Sequence, residues 1–448
     1  MPVHLAKVNV PLYLRDKRAR KLARRLNREW RSERSHQSSL RAFDAAFGAR
    51  SQIVDLMASS AVPEESNLRT RKIRFTLPPS FSIIDSPERA IAALANFARA
   101  MRTDKRGTVY IDFSKLSKYD LGANGLLDVI VDELSVESKR SGRIVRWRGN
   151  FPSDPAHARF VRAMGVIKRL KVVKEYPSPQ DEPHLTLFDK RCRHYMRVLR
   201  PHQIDMKSRI TAEFSDHINR CLKTIDRQLT PDARRSLCAY VGEILDNAEQ
   251  HSGRLDWAIQ GYLDTQVEIP MCEVVIFNFG RSIAETFEAL PPESFTRLQI
   301  QRYIDLHTKR RLFSAVWRKE DLYTLIALQG NVSSKNEKDT DTRGNGTVDL
   351  IEFFQRMHAE CSAATDASAR MVIVSGSTSI LFDGTYKMES QSNGAGVIAF
   401  NAGNSLEDLP DREYVRKLEG VCFPGTLIGL MFPLSTSKST VEASGDES

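Results

Sequence analysis

Cysteine is sparse: six residues in 448, at positions 192, 221, 238, 272, 361 and 422. None forms a Cys-x-x-Cys pair, and none stands at zinc-site spacing from a second cysteine, so neither a disulfide scaffold nor a zinc ribbon is expected. Cys192 and His194 are neighbours, but a lone pair does not define a metal site. Long apolar runs are missing too. The longest, near 427–434, falls far short of the roughly 20 residues that a bilayer helix needs. The first residues carry no apolar segment of secretory type. The scattered cysteines then read as buried thiols in a reducing compartment, and the expectation is a cytoplasmic protein with no membrane partner. Common catalytic signatures are absent as well: there is no Walker-type Gly-rich loop ending in Lys-Ser/Thr, no Gly-x-Ser-x-Gly and no His-Glu-x-x-His.

Negative charge is in deficit. Lys and Arg number 66 against 56 Asp and Glu, a net charge of +10. The excess is concentrated at Arg15, Lys17, Arg18, Arg20, Lys21, Arg24, Arg25, Arg28, Arg31 and Arg34, while Leu14, Leu22, Leu26 and Trp30 recur at multiples of four. This pattern predicts a basic amphipathic helix. It is either a solvated face packed through its Leu/Trp stripe or a contact for nucleic acid or another acidic partner through 15–34. What remains is ordinary: 41% hydrophobic and 27% charged residues suffice for a sizeable core. At about 150 residues per domain, the length allows two or three domains.

Organisation follows from composition and periodicity. The basic helical arm and a linker occupy 1–66, with the linker read from the small and polar residues at 58–66. From 67 to 180, strands at 73–77, 108–113 and 143–147 alternate with helices at 87–101, 122–138 and 154–164, which predicts a small α/β domain. A larger domain spans 190–435. It has helices at 204–225 and 233–251, strands at 257–263 and 273–279, a helix-rich insert at 295–328 and a polar loop at 329–345. A helix at 347–357 follows, then strands at 371–375, 378–382, 397–401 and 426–432. Residues 436–448 read as a disordered polar tail.

The chemistry concentrates in Tyr240-Val-Gly-Glu-Ile-Leu-Asp-Asn-Ala-Glu-Gln-His251. Glu243, Asn247 and His251 are spaced by four and share a helix face. A carboxylate can take a proton from water, and a carboxamide oxygen one turn away can ligate Mg²⁺. Read alone, the segment is equally a capped amphipathic helix with polar residues outward. Three elements follow it in order. Asn278-Phe-Gly-Arg-Ser282 is a turn after a strand. Thr342-Arg-Gly-Asn-Gly-Thr347 leads into a helix whose N-terminus can receive phosphate. Phe423-Pro-Gly-Thr426 opens the last strand.

This ordered set, over about 202–435, resembles the ATP-binding domain shared by gyrase-type topoisomerases, heat-shock chaperones, histidine kinases and mismatch-repair ATPases (the GHKL superfamily). It lies nearest the anti-sigma-factor kinase branch. The resemblance implies a Bergerat-type α+β two-layer sandwich within an α/β chain, with ATP and Mg²⁺ as cofactors. It implies that Glu243 is the general base and Asn247 the Mg²⁺ ligand. Asn278 would stand where an aspartate usually reads the adenine amine. Gly280 and Ser282 would stand on that box's glycines, Lys335 in a lid, Gly344, Asn345 and Gly346 in the phosphate cradle, and Thr426 beside the adenine. Two positions depart from the pattern: Asn278 offers one acceptor oxygen and no charge, and Ser282 replaces a glycine.

The stretch 108–127, with Asp112, Asp120 and a following helix, weakly resembles a STAS domain, the fold of anti-sigma-factor antagonists. The phosphorylatable serine usual after Asp120 is replaced by Leu121, Gly122 and Ala123. The resulting expectation is a nucleotide-gated ATPase switch acting on a protein partner, in bacterial regulation or defence, with a homodimer among the expected assemblies. Three alternatives stay open: an anti-sigma-type serine protein kinase, a nucleic-acid-associated ATPase using the basic arm, and a non-catalytic interaction module.

Overall fold

The computed structural model describes residues 50–62, 73–103, 107–142, 145–166, 182–193, 206–252, 254, 256–309, 317–330, 332, 345–361, 367–390 and 396–434. The basic arm at 15–34, the lid residue Lys335, Gly344 and the tail at 436–448 lie outside the described residues.

The architecture is mixed α/β, built on a seven-stranded antiparallel sheet. Its order is β13 (Val415–Lys417), β10 (Thr378–Phe382), β9 (Arg370–Gly376), β14 (Phe423–Pro433), β8 (Met271–Phe279), β7 (Trp257–Asp264) and β6 (Leu185–Cys192). Continuous apolar runs such as Val274-Val-Ile-Phe277 arise because both faces of this sheet are covered. On β8, Cys272, Val274 and Ile276 enter one core, whereas Val275, Phe277 and Phe279 enter another. All eight residues of β7 are buried.

Two long helices cover the first face: α5 (Met206–Lys223) and α6 (Pro231–His251). Thr230 caps α6 by accepting from the Ala233 N–H at 3.2 Å, and Pro231 occupies its first turn. Leu237, Val241, Leu245 and Ala248 form the buried stripe of α6. A third helix, α10 (Asn345–Cys361), packs against α6 and β14. Three shorter helices, α7 (Ile283–Glu288), α8 (Phe295–Lys309) and α9 (Lys319–Ile326), lie toward the β9–β10–β13 end.

The opposite face receives α3 (Leu121–Arg140), whose buried residues run around nearly its whole circumference. A helix buried on all sides must be sandwiched. Beyond it stand a parallel sheet of β1 (Ile73–Thr76), β3 (Thr108–Asp112) and β5 (Arg146–Gly149), and the helices α1 (Gln52–Ser59), α2 (Pro87–Thr103) and α4 (Pro155–Met164). Two short pairs complete the fold: β2 (Ser80–Phe81) with β4 (Lys118–Tyr119), and β11 (Glu389–Ser390) with β12 (Gly396–Val397).

The two halves share one continuous interface. Gly125 allows α3 to approach the sheet, since a Cβ there would come within 2.5 Å of Gln260 Oε1 and 3.1 Å of the Phe277 ring. Ion pairs rim the contact: Arg191 with Asp132 at 2.9 Å and Glu133 at 2.6 Å, Arg159 with Asp264 at 2.7 Å, and Arg370 with Asp85 at 2.6 Å. Inside it, the Leu121 N–H donates to Glu273 Oε2 at 2.8 Å. Burial, with the Asp120 carboxyl nearby, raises Glu273 from 4.5 to about 8.

Several expectations are corrected. The stretch 58–66 was expected to be a linker, but its described part, 58–62, is docked. Ala58 and Ser59 finish α1, Ala61 bridges Val421, and the Cys422 N–H donates to the Ser60 carbonyl at 2.7 Å. Backbone pairing to an existing strand satisfies groups that a free linker leaves to water. The strand expected at 143–147 begins at Arg146, and that at 397–401 shortens to Gly396–Val397. β6 and β13 were not anticipated. Among the cysteines, Cys192, Cys221, Cys272 and Cys361 are buried, Cys238 is half-buried and Cys422 is exposed. No helix among the described residues is long and apolar enough to cross a membrane.

Candidate functional site

One cavity opens between α6, α7, α10 and the ends of β8, β9 and β14. Its volume is about 140 Å³ and its mouth is open to solvent, so as it stands it is smaller than typical small-molecule sites (roughly 300–1,000 Å³). Five of the expected site residues line it: Glu243, Asn247, Asn278, Ser282 and Thr426. The floor is apolar, with Ile244, Ile283, Phe287, Leu328, Ile373 and Ile428.

Helix α6 delivers Glu243 and Asn247. Its Leu237–Val241–Leu245 stripe faces the core, while Glu243 and Asn247, each two residues on from a stripe position, line the cavity with Ile244 and Ala248. Glu249 fixes the helix by accepting from Trp257 Nε1 at 3.0 Å, while Lys207 pairs with Glu249 at 3.1 Å. The Asp349 carboxyl on α10 is raised by burial first, then by the neighbouring Glu352 and Glu243 carboxylates. This field is one that a divalent cation would relieve.

Strands β8 and β14 deliver Asn278 and Thr426 as direct cross-strand partners. The Asn278 carboxamide makes no hydrogen bond to any described residue. Thr426 Oγ1 lies 2.9 Å from Ser375 Oγ, which also accepts from the Ile283 N–H at 2.9 Å. Thus a β9 hydroxyl ties α7 to the strand that carries Thr426.

The turn after β8 depends on Gly280. Its φ is +133°, and a Cβ there would stand 2.1 Å from the Ser252 carbonyl oxygen at the end of α6. The Arg281 N–H donates to the same carbonyl at 2.9 Å. Gly280 therefore locks α6 to β8 and is absent from the cavity wall itself. Ser282 needs no glycine: its φ of −71° and ψ of 167° are extended. It is the N-cap of α7, accepting from the Glu285 N–H at 3.1 Å, while Glu285 Oε2 accepts from the Ser282 N–H at 2.7 Å. The departure at Ser282 is thus a capping box.

Of the expected phosphate cradle, Asn345 and Gly346 open α10, and Thr347 in that first turn lines the cavity. The N-terminus of a 17-residue helix at a cavity wall favours an anion. Gly344 and Lys335 lie outside the described residues. Ser252, Arg281, Thr286 and Thr347 line the cavity without having been singled out beforehand. Arg281 and Thr347 stand inside the two quoted motifs, so those motifs were the available signal. Ser375 carried none, because its role comes from cross-strand register.

Comparisons with protein-family models, with curated proteins and with solved structures return no match.

Proposed function

We propose that this cavity binds ATP with Mg²⁺, that the protein hydrolyses it slowly, and that occupancy sets its affinity for a protein partner. The carrying observation is the convergence of Glu243 and Asn247, from one helix, with Asn278 and Thr426, from two paired strands, in a single cavity at the N-terminus of α10. The antiparallel sheet with helices on the cavity side supports a Bergerat-type reading of this half.

The residues fit the group. Asn247 contributes an amide oxygen, a hard donor suited to Mg²⁺, and the paired field of Glu243 and Asp349 favours a cation. The unpartnered Asn278 carboxamide can accept from an adenine amine over the apolar floor. The first turn of α10 and Arg281 provide positive potential for phosphates. Bound Mg²⁺ supplies charge neutralisation for transfer of the terminal phosphate. Glu243 then acts as the base that takes a proton from water.

The α1–α4 half is the docking module in this reading, with a STAS-like character. Asp120 is the N-cap of α3 inside this module. It is 4% exposed and accepts from Ser82 Oγ, the Ile84 N–H and the Ala123 N–H at 2.7, 3.0 and 2.8 Å. Because α3 lies on the back of the cavity-bearing sheet, a change at the cavity can reach this module through packed side chains.

The test is equilibrium binding of ATP, ADP and GTP to the full chain, with and without Mg²⁺. Mg²⁺-dependent binding of ATP that Asn247→Ala weakens is the expected result. Absence of binding under all conditions would refute the proposal.

A further inference from the structure

A second cluster lies in the core, away from the cavity lining. His217 and Cys221 are one turn apart on α5, so both project from one helix face. β8 supplies Cys272, which enters the same core as α5. The three donor atoms all lie within 4.8 Å of one another, with Cys221 Sγ at 3.7 Å from His217 Nε2. All three residues are 0% exposed.

Hydrogen bonding does not account for an imidazole here. Nδ1 has no hydrogen-bond partner, and Nε2 meets only the Cys221 thiol among the described residues. A phenyl ring would pack against Phe188 and Phe214 without leaving a polar atom unsatisfied. The backbone makes room for the ring: a Cβ on Gly261 would stand 2.2 Å from His217 Nε2.

We propose that His217, Cys221 and Cys272 bind one zinc ion that fastens α5 to β8. Mixed imidazole and thiolate donors suit this d¹⁰ ion, which binds such sets in closed structural sites. Binding releases the Cys221 and Cys272 protons to solvent. Cys361 is buried in the same core on α10 but is not one of these three mutually close donors.

The experiment is elemental analysis of the full chain, purified under reducing conditions from zinc-supplemented cells without an affinity tag. One zinc per chain is expected, released by a mercurial thiol reagent. The demetallated chain titrated with Co²⁺ should develop a thiolate-to-cobalt charge-transfer band. Cys272→Ala should lose both zinc and band, whereas Cys238→Ala keeps them. Because Cys272→Ala could unfold the core, the wild-type results decide: no stoichiometric metal together with no cobalt band overturns the site. Stoichiometric copper(I) overturns the choice of ion.

Discussion

Asn278 on β8 and Thr426 on β14 face each other across the antiparallel ladder, and both line the same cavity. Thr426 is held through Ser375, while the Asn278 carboxamide makes no hydrogen bond to a described residue. Asn278 is therefore the group available to read a base. Asn278→Asp would add a charged acceptor, and hydrogen bonds to charged groups exceed neutral ones by about 1 kcal/mol. ATP affinity should rise by about fivefold while GTP affinity does not. Competition binding of the two nucleotides measures it, and equal changes for both would remove Asn278 from base recognition.

Glu243 and Asn247 lie one turn apart but are expected to fail differently. Glu243→Ala should keep ATP binding and lose turnover by roughly 10²-fold or more, the usual contribution of a general base. Asn247→Ala should weaken Mg²⁺-dependent binding itself. Calorimetry paired with phosphate release separates the two effects. Parent-like hydrolysis in both variants would end the assignment.

Gly280→Ala should damage the fold at the cavity. The alanine would be forced to a φ of +133° with its Cβ 2.1 Å from the Ser252 carbonyl oxygen. Such backbone strain costs about 1–3 kcal/mol before the clash is counted. A melting temperature several degrees lower, together with loss of nucleotide binding, is expected. An unchanged melting curve would show that the turn adapts.

Glu273 makes stability depend on pH. The folded protein keeps its proton up to about 8, whereas an ordinary glutamate loses it near 4.5. In that window the folded state binds more protons than the unfolded chain. The contribution is therefore fully present below 4.5 and is lost as pH rises toward 8, by at most about 1.4 kcal/mol per pH unit. The buried Asp120, also raised by burial, acts in the same direction. Glu273→Gln can still accept from the Leu121 N–H, so it should melt higher than the parent at pH 8 and much like it at pH 5. Parallel melting curves of parent and variant from pH 5 to pH 8 would contradict this.

Legibility in the sequence tracked locality. The α6 stripe, its Thr230–Pro231 start and the placement of Glu243 beside Asn247 are properties of a single helix, and periodicity exposes them. β6 was missed because Leu185-Thr-Leu-Phe-Asp-Lys-Arg-Cys192 does not alternate cleanly. It is an edge strand whose burial pattern follows what covers each residue. Ser282 was read as a lost glycine because its capping role depends on Glu285 and on the turn of the chain after Gly280.

By itself, the sequence determined most helices and strands (α1 and α7 among those it missed), the mixed α/β class and the order of the candidate nucleotide residues, because hydrophobic period, caps and turn residues act over a few positions. Only the tertiary structure decided that α3 is buried between the seven-stranded sheet and helices α1, α2 and α4, that Glu273 on β8 meets the N-terminus of that helix, and that Cys272 joins His217 and Cys221. Those groups are brought together by packing on opposite faces of one sheet. Residues 51 positions apart, such as Cys221 and Cys272, leave no spacing for a motif to record.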